Sequence, residues 1–321
     1  MARLGDVPKL LKSVGLLEFA RRVWHQVQED NLFTWAAALA YSWLFAVFPF
    51  VLFLLSLIPY LPGQLREDTA RNVPRFLTSW LPHEAAQTLI ENFKVEEHVK
   101  EFLNQQRRNF VMYAGLLIAL WAASGGMSAT MSALDKCYEL DRGRPYYRQR
   151  LLAIAMTILV MFLLLLVVCL LPVGSLAKDW VIAHNQIARD NPILIVFNIV
   201  RWILALVFMF GVLAIVYYKG PSIKHHFHWI TPGAAFSVVV WLLLGVGFRI
   251  YMDRMGDKGY DRMYGTLGGV AILLLLFYVD ALVLLVGAEI NSEIDFEVLK
   301  VRRGTRDLRR AEDLDAAPTG I

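Results

Sequence analysis

The sequence predicts an all-α polytopic membrane protein with six transmembrane helices, an N-terminal interfacial helix and short extracytoplasmic helices. Three observations carry this. Of the 321 residues, 57% are hydrophobic and 19% charged, whereas water-soluble domains hold about 45–50% apolar and about 25% charged residues. The mean hydropathy is +0.48. The apolar residues also fall into six continuous runs, each near the roughly 20 residues that a helix needs to cross hydrocarbon. Continuous runs exclude the alternating pattern of a β-barrel. Backbone groups in lipid must bond within their own segment, so each run reads as a helix.

The elements follow in chain order. In Leu10–Gln28, Leu10, Val14, Leu17, Trp24 and Val27 recur at helical spacing, with Lys12, Arg21 and Arg22 elsewhere around the circumference. A basic helix with Trp on its apolar side suits a membrane interface, and a helix packed on the bundle suits the same pattern. The six spans are Thr34–Leu61, Phe110–Met131, Leu151–Leu171, Ile193–Tyr218, Ile230–Met252 and Thr266–Glu289. The first begins too far along the chain, and runs too long, for a signal-peptide core. Between the first two spans, Pro62, Pro74 and Pro82 punctuate an outer loop whose apolar clusters predict two helices that cap the fold or cover a substrate path. The charged stretch after Lys300 lacks an apolar period and predicts a disordered end. The domain organisation is therefore an amphipathic segment 1–33, a transmembrane domain 34–296 with its outer loop 62–109, and a tail 297–321.

An even number of spans leaves both termini on one side. That side carries 18 Lys and Arg against 12 on the other, with Arg201 and Arg249 inside spans. Basic residues concentrate in cytoplasmic loops, so both termini are expected in the cytoplasm.

Charged groups inside a bilayer are expensive and often functional. Arg201, Arg249, Asp280 and Glu289 stand out. At 1.5 Å per residue, Arg201 lies roughly 12 Å and Asp280 roughly 21 Å below the outer surface. The two are within reach of an intramembrane pair, either a substrate or proton site or a structural tie. Arg249 sits one turn from a span end and reads as an interface anchor. Small residues mark close helix approach: Ala36 and Ala40, the Ser124-Gly125-Gly126 run, Gly245 and Gly247, and the Gly265/Gly269 pair. The Ser-Gly-Gly run also suits a bend or a cavity wall, and Pro49 predicts a kink in the first span.

His225, His226 and His228 lie together without a nearby carboxylate or Cys. A closed zinc site needs four ligands, so the segment Lys219–Trp229 reads as a loop facing anionic lipid headgroups. No metal and no cofactor are expected. Phosphate-loop, nucleophile-elbow and HExxH patterns are absent, as is an aromatic–basic platform for nucleic acid. Cys137 and Cys169 read as free thiols.

Several stretches resemble the YihY/BrkB family of bacterial inner-membrane proteins, once called ribonuclease BN. They are AAALAYSWLFAVFPF from Ala36 to Phe50, HWITPGAAFSVVVW at the fifth span, and YGTLGGVAILLLLFYVDALVLLVGAEINSEI from Tyr264 to Ile294. The likeness covers roughly residues 20–296. The matching positions are Ala38, Tyr41 and Pro49; Pro232 and Gly233; and Tyr264, Gly265, Leu267, Gly268, Tyr278, Gly287, Ala288, Glu289 and Asn291. The resemblance implies six spans with cytoplasmic termini, adds weight to Glu289, and makes Asn291 a further candidate functional residue. Family members are linked to serum resistance in a pathogen, and one branch to transport of a lipid A precursor. At Asp280 the family more often has a small polar residue such as Ser, so the resemblance lends no support to an Arg201–Asp280 pair. The ribonuclease label implies HxHxDH, which His226-Phe-His228-Trp-Ile does not continue.

The expected function is therefore that of a transporter-like protein for a lipid or amphipathic small solute, with membrane lipids as partners. The alternative is a non-transporting envelope scaffold. A ribonuclease is the least favoured reading.

Overall fold

The computed structural model describes residues 15–57, 110–140, 143–163, 166, 192–223, 229–255 and 260–298. Among them are seven helices and no strand. They are α1 (Leu16–Glu29), α2 (Leu32–Leu57), α3 (Phe110–Cys137), α4 (Tyr146–Leu163), α5 (Pro192–Lys219), α6 (Pro232–Met255) and α7 (Tyr260–Val298).

The six expected spans fall on α2 to α7. Four stretches are long and apolar enough to cross a membrane: Leu117–Cys137, Tyr146–Leu163, Ile199–Lys219 and Val270–Glu297. Among the described residues, α2 and α6 supply shorter apolar stretches, Leu32–Val47 and Pro232–Gly247. The outer-loop helices, the tail and the triple-histidine stretch lie outside the described residues. Large apolar side chains stand exposed along α5 (Ile199, Trp202, Ile203) and α6 (Val239, Leu243, Val246). Water would oppose such a surface, and lipid tails accept it.

The turn between α1 and α2 rests on Asn31, which takes the left-handed φ of +52°. Asn tolerates this conformation better than most residues. Its side-chain amide donates to the Glu29 carbonyl at 3.2 Å, and its own carbonyl accepts from the Trp35 N–H at 3.2 Å. In α1, Val23, Gln26 and Val27 are buried, whereas Leu17 is 87% and Trp24 55% exposed. The stripe read from the sequence is thus split. Val27 packs inward, and Leu17 and Trp24 look outward, with Trp24 edge-on to Phe33 at 6.2 Å.

The chain divides into two compact units. One comprises Trp24–Ala133 and Val239–Val286. Here α2 and the first part of α7 share an apolar core of Leu44 and Leu273, with Val47, Val270 and Phe277 packed against it. The Trp43 indole donates to Thr130 Oγ1 at 3.0 Å and meets Phe277 edge-on at 6.2 Å. A Cβ on Gly126 would stand 3.0 Å from the Ala46 Cβ and 3.3 Å from Trp43. Gly126 of the Ser-Gly-Gly run therefore serves helix packing: glycine lets the α3 backbone approach α2. Ala36 and Ala40 are buried in the same unit. Gly245 and Gly247 depart from the packing expectation, since no described atom lies within 4 Å of either missing Cβ. α2 runs through Pro49. Tyr41 faces outward, its ring 4.6 Å from that of Phe45. Asp280 and Tyr278 are half-buried here.

The second unit comprises Met1–Val23, Leu134–Val238 and Gly287–Ile321. It holds the last turns of α7 and most of the buried polar groups.

Candidate functional site

The last turns of α7 depart from the apolar rule of a membrane helix. From Ala288 to Phe296, every side chain except the half-buried Ile290 is buried, including Glu289, Asn291, Ser292, Glu293 and Asp295. A helix buried all round with polar residues must find partners for them, and the unit supplies these one at a time.

The first contact is backbone on backbone. A Cβ on Gly233 would collide with the Gly287 carbonyl, and one on Gly287 with Ser237 Oγ and the Tyr217 hydroxyl. Only glycine permits this crossing of α6 and α7. Thr231-Pro232-Gly233 opens α6 in the manner that helix starts require. Pro232 at the first position has no N–H to satisfy. The Gly233 N–H donates to Asn291 Oδ1 at 2.8 Å. The Ala234 N–H donates to Thr231 Oγ1 at 3.2 Å. The Asn291 amide donates to that same hydroxyl oxygen at 3.0 Å. Asn291 thus caps α6 from α7 and ties the two helices together. Tyr217 and Ser237 share a hydrogen bond of 2.9 Å beside the crossing, and Ser292 Oγ donates to the Cys137 carbonyl at 2.8 Å.

Glu289 is 0% exposed. Nearby, the Tyr138 phenol is fully buried. Burial first, and then the charge of Asp295, with smaller contributions from Cys137, Tyr217 and Glu289, pushes it well above the usual tyrosine value. The cluster therefore holds two carboxyls, two phenols and a thiol out of water. Such a group of side chains can retain or pass protons and can hold a polar ligand.

Its rim is firmly built. Asp135 accepts from the Ser222 N–H at 2.5 Å and from its hydroxyl at 2.6 Å. Arg144 donates to the carbonyls of Gly220 at 2.8 Å and Pro221 at 2.6 Å. Those carbonyls follow the end of α5, where helix geometry leaves acceptors unfilled. On α1, Arg22 reaches Glu297 at 3.5 Å and Glu293 at 4.0 Å, and Phe19 packs on Ile294.

This geometry unites Glu289, Asn291, Pro232, Gly233, Gly287 and Ala288. Ala38, Tyr41, Pro49, Tyr278 and Asp280 belong to the other unit, and Arg201 lies on α5, half-buried. Tyr264, Gly265, Leu267 and Gly268 follow the helical backbone of α7, and Arg249 that of α6; their side chains are outside the described residues. Sequence reading missed Tyr138, Tyr217, Ser237, Ser292, Asp135 and Arg144. Only Thr231 carried a legible signal, a capping residue before Pro-Gly. Among the described residues no three His, Cys, Asp or Glu side chains group as metal ligands.

The family profile described as Virulence factor BrkB matches residues 23–311. A ribonuclease-like protein by name, YfkH of Bacillus subtilis (strain 168), is 30% identical over 279 residues, 85% of this chain and 92% of its own. A UPF0761 membrane protein of Aeromonas salmonicida (strain A449) is 24% identical over 90% of this chain and 93% of its own. One of Tolumonas auensis is 25% identical over 90% and 88%. No solved structure matches.

Proposed function

Because this chain belongs to the BrkB family and is an integral membrane protein, we propose that it is a transporter-like protein of the bacterial inner membrane. It crosses six times with both termini in the cytoplasm, moves a lipid or amphipathic small solute, uses no cofactor and is not an enzyme. The observation that supports this reading is Glu289, a carboxyl fully enclosed beside Asn291, Ser292 and the buried Tyr138. A carboxyl enclosed away from water is costly unless its surroundings compensate it. Such groups are retained where a substrate, ion or proton uses them.

Proteoliposomes carrying a fluorescent short-chain phospholipid test the proposal. Wild-type protein accelerates its exchange between leaflets, and Glu289→Gln abolishes the acceleration while keeping the wild-type unfolding midpoint. Equal exchange in the variant removes Glu289 from the mechanism. No acceleration by wild type removes lipid as the cargo.

The cap by Asn291 and the Gly233–Gly287 crossing favour a second reading, an envelope scaffold in which this cluster is architecture alone. Under that reading Glu289→Gln alters stability and no flux. Ribonuclease activity belongs to the name of one relative; we assign none here, and no nucleic-acid partner.

A further inference from the structure

At one end of the second unit, two exposed cations stand over aromatic rings. The Arg148 guanidinium lies 5.7 Å from the Tyr147 ring centroid, in the first turn of α4. The Lys219 ammonium lies 4.6 Å from the Tyr218 centroid, at the last residue of α5. The hydrogen bonds from Arg144 to Gly220 and Pro221 join the start of α4 to the end of α5. Both cations therefore stand at the same end of the two membrane-crossing stretches Tyr146–Leu163 and Ile199–Lys219. Among the described residues no carboxylate pairs with either of them.

Aromatic surface accompanies the charge. Tyr146 is 75% and Tyr147 59% exposed. Trp229, half exposed, lays its ring edge over Gly211, 3.7 Å from where a Cβ would stand. Gly211 precedes Lys219 by eight residues, so Trp229 reaches roughly 12 Å along α5 from the cation. Cations level with exposed tyrosines at the helix ends and an exposed Trp beneath reproduce the profile of a bilayer interface, with phosphates outermost and carbonyls beneath. A soluble polyanion would use the charges and leave the exposed Trp229 and Ile230 without a function.

We propose that this end of α4 and α5 is a seat for anionic phospholipid, with Arg148 and Lys219 holding the headgroup beside Tyr146, and Trp229 the glycerol and upper acyl region. In the proposed orientation that leaflet is the cytoplasmic one. The seat rests on membrane embedding and stands independently of the transport reading.

The test uses the full chain in detergent, titrated with phosphatidylglycerol or phosphatidylcholine in mixed micelles, with brominated chains quenching tryptophan. Wild type binds phosphatidylglycerol at least tenfold more tightly than phosphatidylcholine. Each cation is worth about fivefold near an anionic surface, so Arg148→Gln with Lys219→Gln weakens phosphatidylglycerol about 25-fold and leaves phosphatidylcholine unchanged. Arg148→Lys with Lys219→Arg keeps the preference, which separates charge from misfolding. Trp229→Phe removes part of the quenching. Equal binding of the two lipids, or an undiminished preference in the double Gln variant, overturns the proposal. So does competition by inorganic phosphate or a short oligonucleotide as effective as that by phosphatidylglycerol, which would mark a site for soluble anions.

Discussion

The Asn291 cap allows the sharpest test of how this fold is held. In Asn291→Ala, the Gly233 N–H loses its acceptor at 2.8 Å and Thr231 loses its donor at 3.0 Å. Both partners are buried, as is Asn291 itself at 0% exposure. A buried donor left without an acceptor costs about 1–3 kcal/mol, and loss of a helix cap about 1 kcal/mol. These overlap here, since the orphaned N–H is the capped one, so the expected loss is about 2–3 kcal/mol. At 2–4 °C per kcal/mol for domains of 150–250 residues, the unfolding midpoint should fall by about 4–12 °C. Cys137 offers the readout: it is buried at 1% exposure, and a Cys169→Ala background leaves it as the single thiol of the chain. A thiol-reactive dye then reports its release on heating. Asn291→Asp keeps an acceptor for Gly233 but adds a carboxyl to a cluster that already encloses Glu289 and Asp295, a cost unrelated to the cap. An Asn291→Ala midpoint within 1 °C of wild type would refute the capping argument.

Two further outcomes follow from the same geometry. Gly287→Ala should prevent accumulation of folded protein, because its Cβ meets Tyr217, Ser237 and the Gly233 backbone together; Gly245→Ala, with open space around it, should be neutral or raise the midpoint, since alanine favours a helix by about 1 kcal/mol over glycine. Expression and size-exclusion profiles compare the two. Stability should also fall as the pH rises above 10, the ordinary tyrosine value, because Tyr138 keeps its proton when folded and releases it on unfolding. Tyr138→Phe should flatten that alkaline fall, and an unchanged slope in denaturation against pH would exclude Tyr138 as its source.

Composition and the length of the apolar runs identified helices and membrane, because both properties are local and need no knowledge of neighbours. The same runs marked α2 to α7 in order, and the Gly-Ala-Glu-x-Asn motif drew attention to the correct end of α7. The role of each motif residue was not legible. Asn291, a candidate for chemistry, also caps α6, which no local pattern showed because its partner Gly233 is 58 positions away. Tyr138 and Tyr217 sat at the edges of hydrophobic runs, where tyrosine is ordinary, and nothing in their spacing marked them as buried together. Gly126, Gly233 and Gly287 serve close approach while Gly245 and Gly247 do not, although all five stand in similar apolar context.

The amino-acid order alone determined what each segment is: oil-soluble, helical, polar at the end of α7. Those properties follow from the free energy of transferring side chains and peptide groups into hydrocarbon, which is summed residue by residue. Only the tertiary structure decided which helix faces which, and therefore which glycines are obligatory, which amide caps a neighbouring helix and which carboxyl is enclosed. Those outcomes depend on contacts across long separations in the chain, where hydrogen-bond geometry and the few tenths of an ångström around a Cβ choose among sequences that look alike locally.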